Sequence, residues 1–174
     1  DIRASTMLLN AGTFETFGDL RLTGDVVKWN NWQAFAGARF YLDVSQTLTT
    51  YSAVRWSFAQ VGEYVVAVNV NDDPQRFLLE TDTEFSTLAG SPPRAAIVRP
   101  WGDFLVLMQL ANNPNRAHWS GLNNIEFWTP GSQNCDFQDF PDGGLVQGSN
   151  SATNPIIFLE RAIYVGQFVP GSAE

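Results

Sequence analysis

Hydrophobic residues along this chain come in short bursts and trace no helical stripe. Runs rich in Val, Ile, Phe, Tyr and Trp alternate with breaks of Gly, Pro, Asn and Thr at intervals of about ten residues, and no 3.6-residue period is sustained. The pattern predicts strands at Arg39–Val44, Ala53–Ala59, Tyr64–Val70, Gln75–Leu79, Ala95–Val98, Phe104–Leu110, Arg116–Ser120, Ile156–Leu159 and Ala162–Val165. Two of them, YVVAVNV and FLVLMQL, are nearly continuous in apolar residues, as strands buried on both faces would be. Periodicity alone also admits a short buried helix there. The expected fold class is all-β.

An internal repeat organises these strands. VGEYVVAVNVNDDPQRF from Val61 aligns without gaps with WGDFLVLMQLANNPNRA from Trp101, an offset of forty residues. Gly62 pairs with Gly102, Tyr64 with Phe104, Pro74 with Pro114 and Arg76 with Arg116. Each copy reads as a Gly-acid turn, an aromatic-led strand, a polar turn ending in Pro, and a strand carrying Arg. Glycine permits positive φ and proline presets the turn, so both residue types have local work to do. A spacing near 40–45 residues is that of β-propeller blades, and 174 residues hold about four at most. LVQGSNSATNPIIFLERAIYVGQF and FGDLRLTGDVVKWNNW read as parts of neighbouring blades without aligning cleanly, so the propeller is expected to be incomplete. The expected division is an N-terminal β segment over 1–50, propeller-type blades over 51–170 and a tail over 171–174. The chain opens on Asp1, which suggests a processed chain or a piece of a longer one.

Composition narrows the function classes. With 44% hydrophobic and 13% aromatic residues the chain can bury a core. A net charge of −8 argues against general phosphate binding, which rests on Lys and Arg. Lys28 is the sole lysine, and an arginine-dominated cation set favours planar hydrogen-bonded contacts over a diffuse positive field. No apolar run approaches a membrane span.

Candidate chemistry is sparse. His118 is the one histidine and Cys135 the one cysteine, so an intrachain disulfide and a Cys/His zinc site are excluded. The two form a Cys-His pair in sequence terms, but a nucleophile also needs an orienting group and an oxyanion site, and Asp136 beside the thiol raises its pKa. Asp136, Asp139 and Asp142 stand three apart in CDFQDFPDGG, which invites a calcium loop or a carboxylate pair. The calcium-loop spacing and its ligand Glu are missing, and Asp142-Gly143-Gly144 reads more simply as a hairpin turn. Trp119 and Trp128, with Phe127, suit either a sugar-stacking platform or core and subunit-interface anchors. No catalytic, cofactor or metal residue is expected, and the chain is not expected to be an enzyme.

A longer resemblance lies over these motifs. The stretches WSFAQVGEYVVAVN (56–69), DDPQRF (72–77), FSTLAGSPPRA (85–95), GDFLVLMQLANNPNRAHWSGLNNIEFWTPG (102–131), DFQDFPDGGLVQG (136–148) and IIFLERAIYVG (156–166) resemble the tail nozzle proteins of short-tailed bacteriophages, also called packaged-DNA stabilisation or tail hub proteins. PNRxxWSGLN, then WTPG, then DFQDFPDGG, in that order, is the most specific combination. The likeness covers roughly two thirds of the chain and is loose over the first fifty residues.

The resemblance implies propeller blades, a ring below the portal, and a virion protein that extends the DNA exit channel and helps retain packaged DNA. It implies as partners other copies of the chain, the portal or adaptor and other tail proteins, and double-stranded DNA that passes without sequence-specific binding; no membrane is involved. It places the protein in the virion tail or neck, and in the host cytoplasm during assembly. It brings no catalytic residues. Family members are several times longer, so this chain is expected to be a shortened relative or a piece. Two rivals differ in class: a carbohydrate-binding or host-recognition β module, marked by an exposed Trp pair facing a carboxylate cleft, and a monomeric propeller adaptor with an apolar patch on one face.

Overall fold

The run Phe104–Leu110 is apolar on both faces, and the fold answers by placing a sheet on each side of it. A computed structural model of the chain describes residues 6–10, 13–17, 51–52 and 55–167. The chain divides into a unit over Asp1–Ser45 and one over Gln46–Glu174. In the first, β1 (Thr6–Asn10) and β2 (Thr13–Phe17) form an antiparallel hairpin. The predicted strand Arg39–Val44 lies outside the described residues.

The second unit holds three open antiparallel sheets. Strands β3 (Ser57–Val61), β4 (Tyr64–Val68), β5 (Gln75–Leu78) and β6 (Ser86–Thr87) form the first, in chain order. Strands β7 (Ala95–Trp101), β8 (Phe104–Leu110), β9 (Arg116–Trp119) and β10 (Asp136–Asp139) form the second, also in chain order. Strands β11 (Val146–Ser149), β12 (Ile156–Leu159) and β13 (Ile163–Val165) form the third. Among the described residues there is no helix, and the protein is all-β.

The second sheet lies between the other two. Leu105 and Leu107 of β8 join Ala59, Val66, Val68 and Val98 in a core against the first sheet. Val106 and Met108, on the opposite face of the same strand, join Ala117, Val146, Ile157 and Leu159 in a core against the third. All four β8 side chains are fully buried. Each such side chain removed from water stabilises the fold by about 1.5–3 kcal/mol. Polar ties pin the layers. Ser57 Oγ accepts from the Val98 amide at 3.3 Å, and the Trp101 indole donates to Ser149 Oγ at 2.9 Å.

Two pairs of positions from the aligned stretches are used alike. Gly62 and Gly102 open the β3–β4 and β7–β8 turns at φ 57° and 58°, each with positive φ at the first of two central residues, the pattern of a type II′ hairpin. The carbonyls of Pro74 and Pro114 each accept an amide from a later segment, Leu88 at 2.8 Å and Val146 at 3.1 Å.

The Asp142-Gly143-Gly144 turn departs from expectation. It does not close a hairpin, because β10 pairs with β9 while β11 pairs with β12, so it carries the chain from the second sheet to the third. Its glycines serve close packing: a Cβ on Gly143 would stand 2.7 Å from the Ala162 Cβ, and one on Gly144 would meet the Glu160 carboxylate.

Candidate functional site

The β9–β10 ladder gathers most of the residues singled out for chemistry. Its register sets Arg116 opposite Asp139, His118 opposite Phe137 and Trp119 opposite Asp136. Directly opposed residues share a face, so Arg116 and Asp139 meet. The guanidinium donates from Nε to Oδ1 at 2.6 Å and from Nη2 to Oδ2 at 2.7 Å, and lies 3.6 Å from the Phe137 ring centroid. The hydrogen bond from Arg116 holds the Asp139 carboxyl below the usual carboxylate range, with the guanidinium charge adding to it and burial working the other way.

Arg76, its partner in the repeat, is also held by carboxylates. It lies 3.2 Å from Asp82 and 3.3 Å from Glu126, with its guanidinium 5.6 Å from the Tyr64 ring centroid. Glu126 belongs to the long β9–β10 connection, which folds back over the first sheet and lays Ile125 and Trp128 into its core. Gly90 allows that approach, since its backbone sits where any Cβ would run into the Glu126 carbonyl.

His118 and Cys135, seventeen positions apart in sequence, are brought together at Nε2–Sγ 3.7 Å. The pair is unsuited to nucleophilic chemistry. Cys135 is 1% exposed, and burial, helped by the Asp136 charge, pushes its thiol up to about 11. His118 is pushed down, first by burial and then by the Arg116 charge, against smaller opposing effects of Asp136 and the Trp128 backbone. A protonated thiol at hydrogen-bonding distance from a neutral imidazole is a structural contact, lacking the thiolate that attack requires. The His118 ring also packs edge-on to Trp128 at 5.5 Å.

The three aspartates of CDFQDFPDGG do not converge. Asp139 is held by Arg116, Asp136 Oδ1 accepts the Phe137 amide at 2.8 Å, and Asp142 offers its backbone carbonyl to the Tyr164 hydroxyl at 3.3 Å. Among the described residues no three His, Cys, Asp or Glu side chains are grouped to hold a metal ion. Trp128 is 5% exposed and its indole donates to the Ile125 carbonyl at 2.8 Å. Its ring is therefore closed to a sugar or a partner. Trp119 is half-buried, with its indole donating to the Asn134 carbonyl at 2.8 Å.

A groove of about 580 Å³ opens where the turns after β4 and β8 meet, with Asn71, Asp73, Arg94, Asn113, Arg116 and His118 among its walls. Its charges are already engaged: Arg94 donates to Asp73 at 2.8 Å and to the Asn71 carbonyl at 2.9 Å. Asp82, Glu126 and the serines that tie the layers carried no mark in the sequence, because each meets its partner only once the sheets and their connections are packed together. No family model, curated protein or solved structure matches the chain.

Proposed function

We propose that this chain is a structural subunit of a short-tailed phage tail or neck, of the nozzle or hub type, built from propeller-type blades. It extends the DNA exit channel, helps retain packaged DNA, and works by assembling with its own copies and with portal, adaptor or other tail proteins. The observation that carries the reading is how the motif residues are used. In PNRAHWSGLN, WTPG and DFQDFPDGG, Arg116 binds Asp139, Ser120 Oγ accepts the Leu105 amide at 3.1 Å, and Trp128 fills the core. Residues engaged this way build a framework, as a mechanical role requires. The blade reading is supported by two successive four-stranded meanders, forty residues apart in their matching turns, packed face to face.

The charge balance fits a conduit. A duplex must slide, and tight phosphate neutralisation would hold it back, whereas a net charge of −8 leaves it lubricated by water and counterions. Negative-stain imaging of the purified chain tests the reading. Rings with a central hole wide enough for duplex DNA are expected, together with no DNA affinity that rises steeply as salt is lowered. Rings without such a hole, or tight salt-dependent DNA binding, would overturn it.

A further inference from the structure

The crossing from the second sheet to the third runs through the one aspartate of this chain that glycine follows. Asp142 precedes Gly143, whereas every other aspartate precedes a residue with a side chain. The fold itself requires that glycine, because a Cβ at position 143 would stand 2.7 Å from the Ala162 Cβ. A successor without a side chain is also the one that least obstructs its own amide nitrogen.

The surroundings leave two groups of this dipeptide free. Asp73, Asp82 and Asp139 are each held by an arginine, but Asp142 is exposed and its carboxylate has no partner among the described residues. Gly143 is held by its carbonyl, which accepts the Arg161 amide at 2.9 Å, while its own amide donates to nothing among the described residues. The Asp142 backbone carbonyl accepts the Tyr164 hydroxyl at 3.3 Å, and the Tyr164 ring is set there by Phe140, 5.0 Å away. A donor on that carbonyl draws charge from the peptide it shares with Gly143 and makes the Gly143 N–H more acidic.

From this setting we propose that Asp142–Gly143 is a site of spontaneous backbone isomerisation. The Gly143 nitrogen gives up its proton and attacks the side-chain carboxyl carbon of Asp142. As the N–C bond forms, the carboxyl hydroxyl leaves with a proton as one water, and a succinimide ring closes. Water then adds to either ring carbonyl. Opening at the side-chain carbonyl restores aspartate. Opening at the main-chain carbonyl yields isoaspartate, in which the backbone runs through the former side chain. One water leaves and one returns, so nothing is oxidised or reduced.

The product lengthens the main chain by a methylene at a crossing whose flanks are both tied. On one side the Phe140 amide donates to the Asn115 carbonyl at 2.9 Å, and on the other the Val146 amide donates to the Pro114 carbonyl at 3.1 Å. The carbonyl that met Tyr164 becomes a carboxylate, and Gly143 is displaced from its seat against Ala162. The change loosens the seating of the third sheet on the second. The inference goes beyond the structural-subunit reading and does not depend on it.

Ageing the full chain in neutral buffer tests it, read by isoaspartyl methyltransferase labelling and by peptide mapping with electron-transfer fragmentation. The native protein should accumulate isoaspartate at position 142, and a species one water lighter should build up in mildly acidic buffer. Asp142→Glu should abolish the signal, because the larger ring closes far more slowly. It should also melt as the parent does, since the carboxylate it moves is exposed and unpartnered. Asp142→Asn should convert faster, with loss of ammonia. Tyr164→Phe keeps the ring packing and should slow the conversion. A native chain that gains no isoaspartate at position 142 over weeks, whether or not the urea-unfolded chain converts, would overturn the site. Isoaspartate confined to other positions would overturn it as well. Conversion at an unchanged rate in Tyr164→Phe would overturn the part given to the hydroxyl.

Discussion

Arg116 and Asp139 stand directly opposite each other on β9 and β10 and share two hydrogen bonds, Nε–Oδ1 at 2.6 Å and Nη2–Oδ2 at 2.7 Å. Twenty-three residues separate them in sequence, and most of that length is the connection that folds back over the first sheet. The pair therefore anchors the edge strand β10 and, with it, both ends of that connection. The Phe137 ring under the guanidinium completes the clamp.

Arg116→Ala should destabilise the protein by roughly 1–2 kcal/mol. A two-point charge-assisted pair is stronger than a single contact, screening holds this partly exposed one below a buried pair, and the cation–π contact adds to it. The loss should depend on pH. Asp139 titrates below its ordinary value in the fold, so its contribution is full above about pH 4 and disappears as pH falls through the folded value. Melting curves of parent and variant should lie apart at pH 7 and draw together as the pH falls below the ordinary carboxylate range.

Gly90→Ala should cost at least about 2 kcal/mol. The residue has φ 82°, and a Cβ there would collide with the Glu126 backbone, which has no flexible end to swing away. Gly62→Ala is the matched comparison, with φ 57° but open space around its Cβ, and should cost only the backbone strain of about 1 kcal/mol. Equal melting temperatures for the two variants would contradict the close approach at Gly90.

The strands that sequence pattern bounded most closely are those written as nearly unbroken apolar runs. Phe104–Leu110 and Ile156–Leu159 were legible to the residue, because β8 is buried on both faces and IIFL is bounded by Pro155 and Glu160. The β3 strand begins at Ser57, later than the apolar run that starts at Ala53. Strands β10 and β11, reading DFQD and VQGS, escaped notice because edge strands carry polar residues and one of them contains a glycine at a register shift. The site was less legible still. Arg116 stood out through the repeat, but its partner Asp139 appeared as one of three evenly spaced acids, and only the β9–β10 register separates it from the other two.

Stability should decline as pH falls below about 6.5, and His118 should account for part of the slope. Burial and the Arg116 charge hold the imidazole neutral in the fold, while the unfolded chain takes up a proton in the ordinary histidine range. Its contribution is thus intact above that range and is lost as pH falls through it. His118→Gln should flatten the dependence between pH 7 and pH 5. An unchanged slope in urea titrations of the variant would mean that the ring is solvated in the folded protein.

Cys135 should be nearly silent toward thiol reagents until the protein unfolds. A thiol pushed up to about 11 holds roughly two orders of magnitude less thiolate near pH 8 than an ordinary cysteine, and the buried sulfur is shielded as well. Labelling by an aromatic disulfide should therefore be at least about a hundredfold slower in buffer than in concentrated urea. The linkage runs opposite to that of His118. Because the folded value lies above the unfolded one, near 8.5, stability is full below that pH and is lost as pH rises through about 11. Cys135→Ala should remove that alkaline loss at the cost of a small cavity against His118. Fast labelling of the native protein at pH 8 would place the sulfur in an accessible, ionisable setting and would reopen the Cys-His pair as a reactive one.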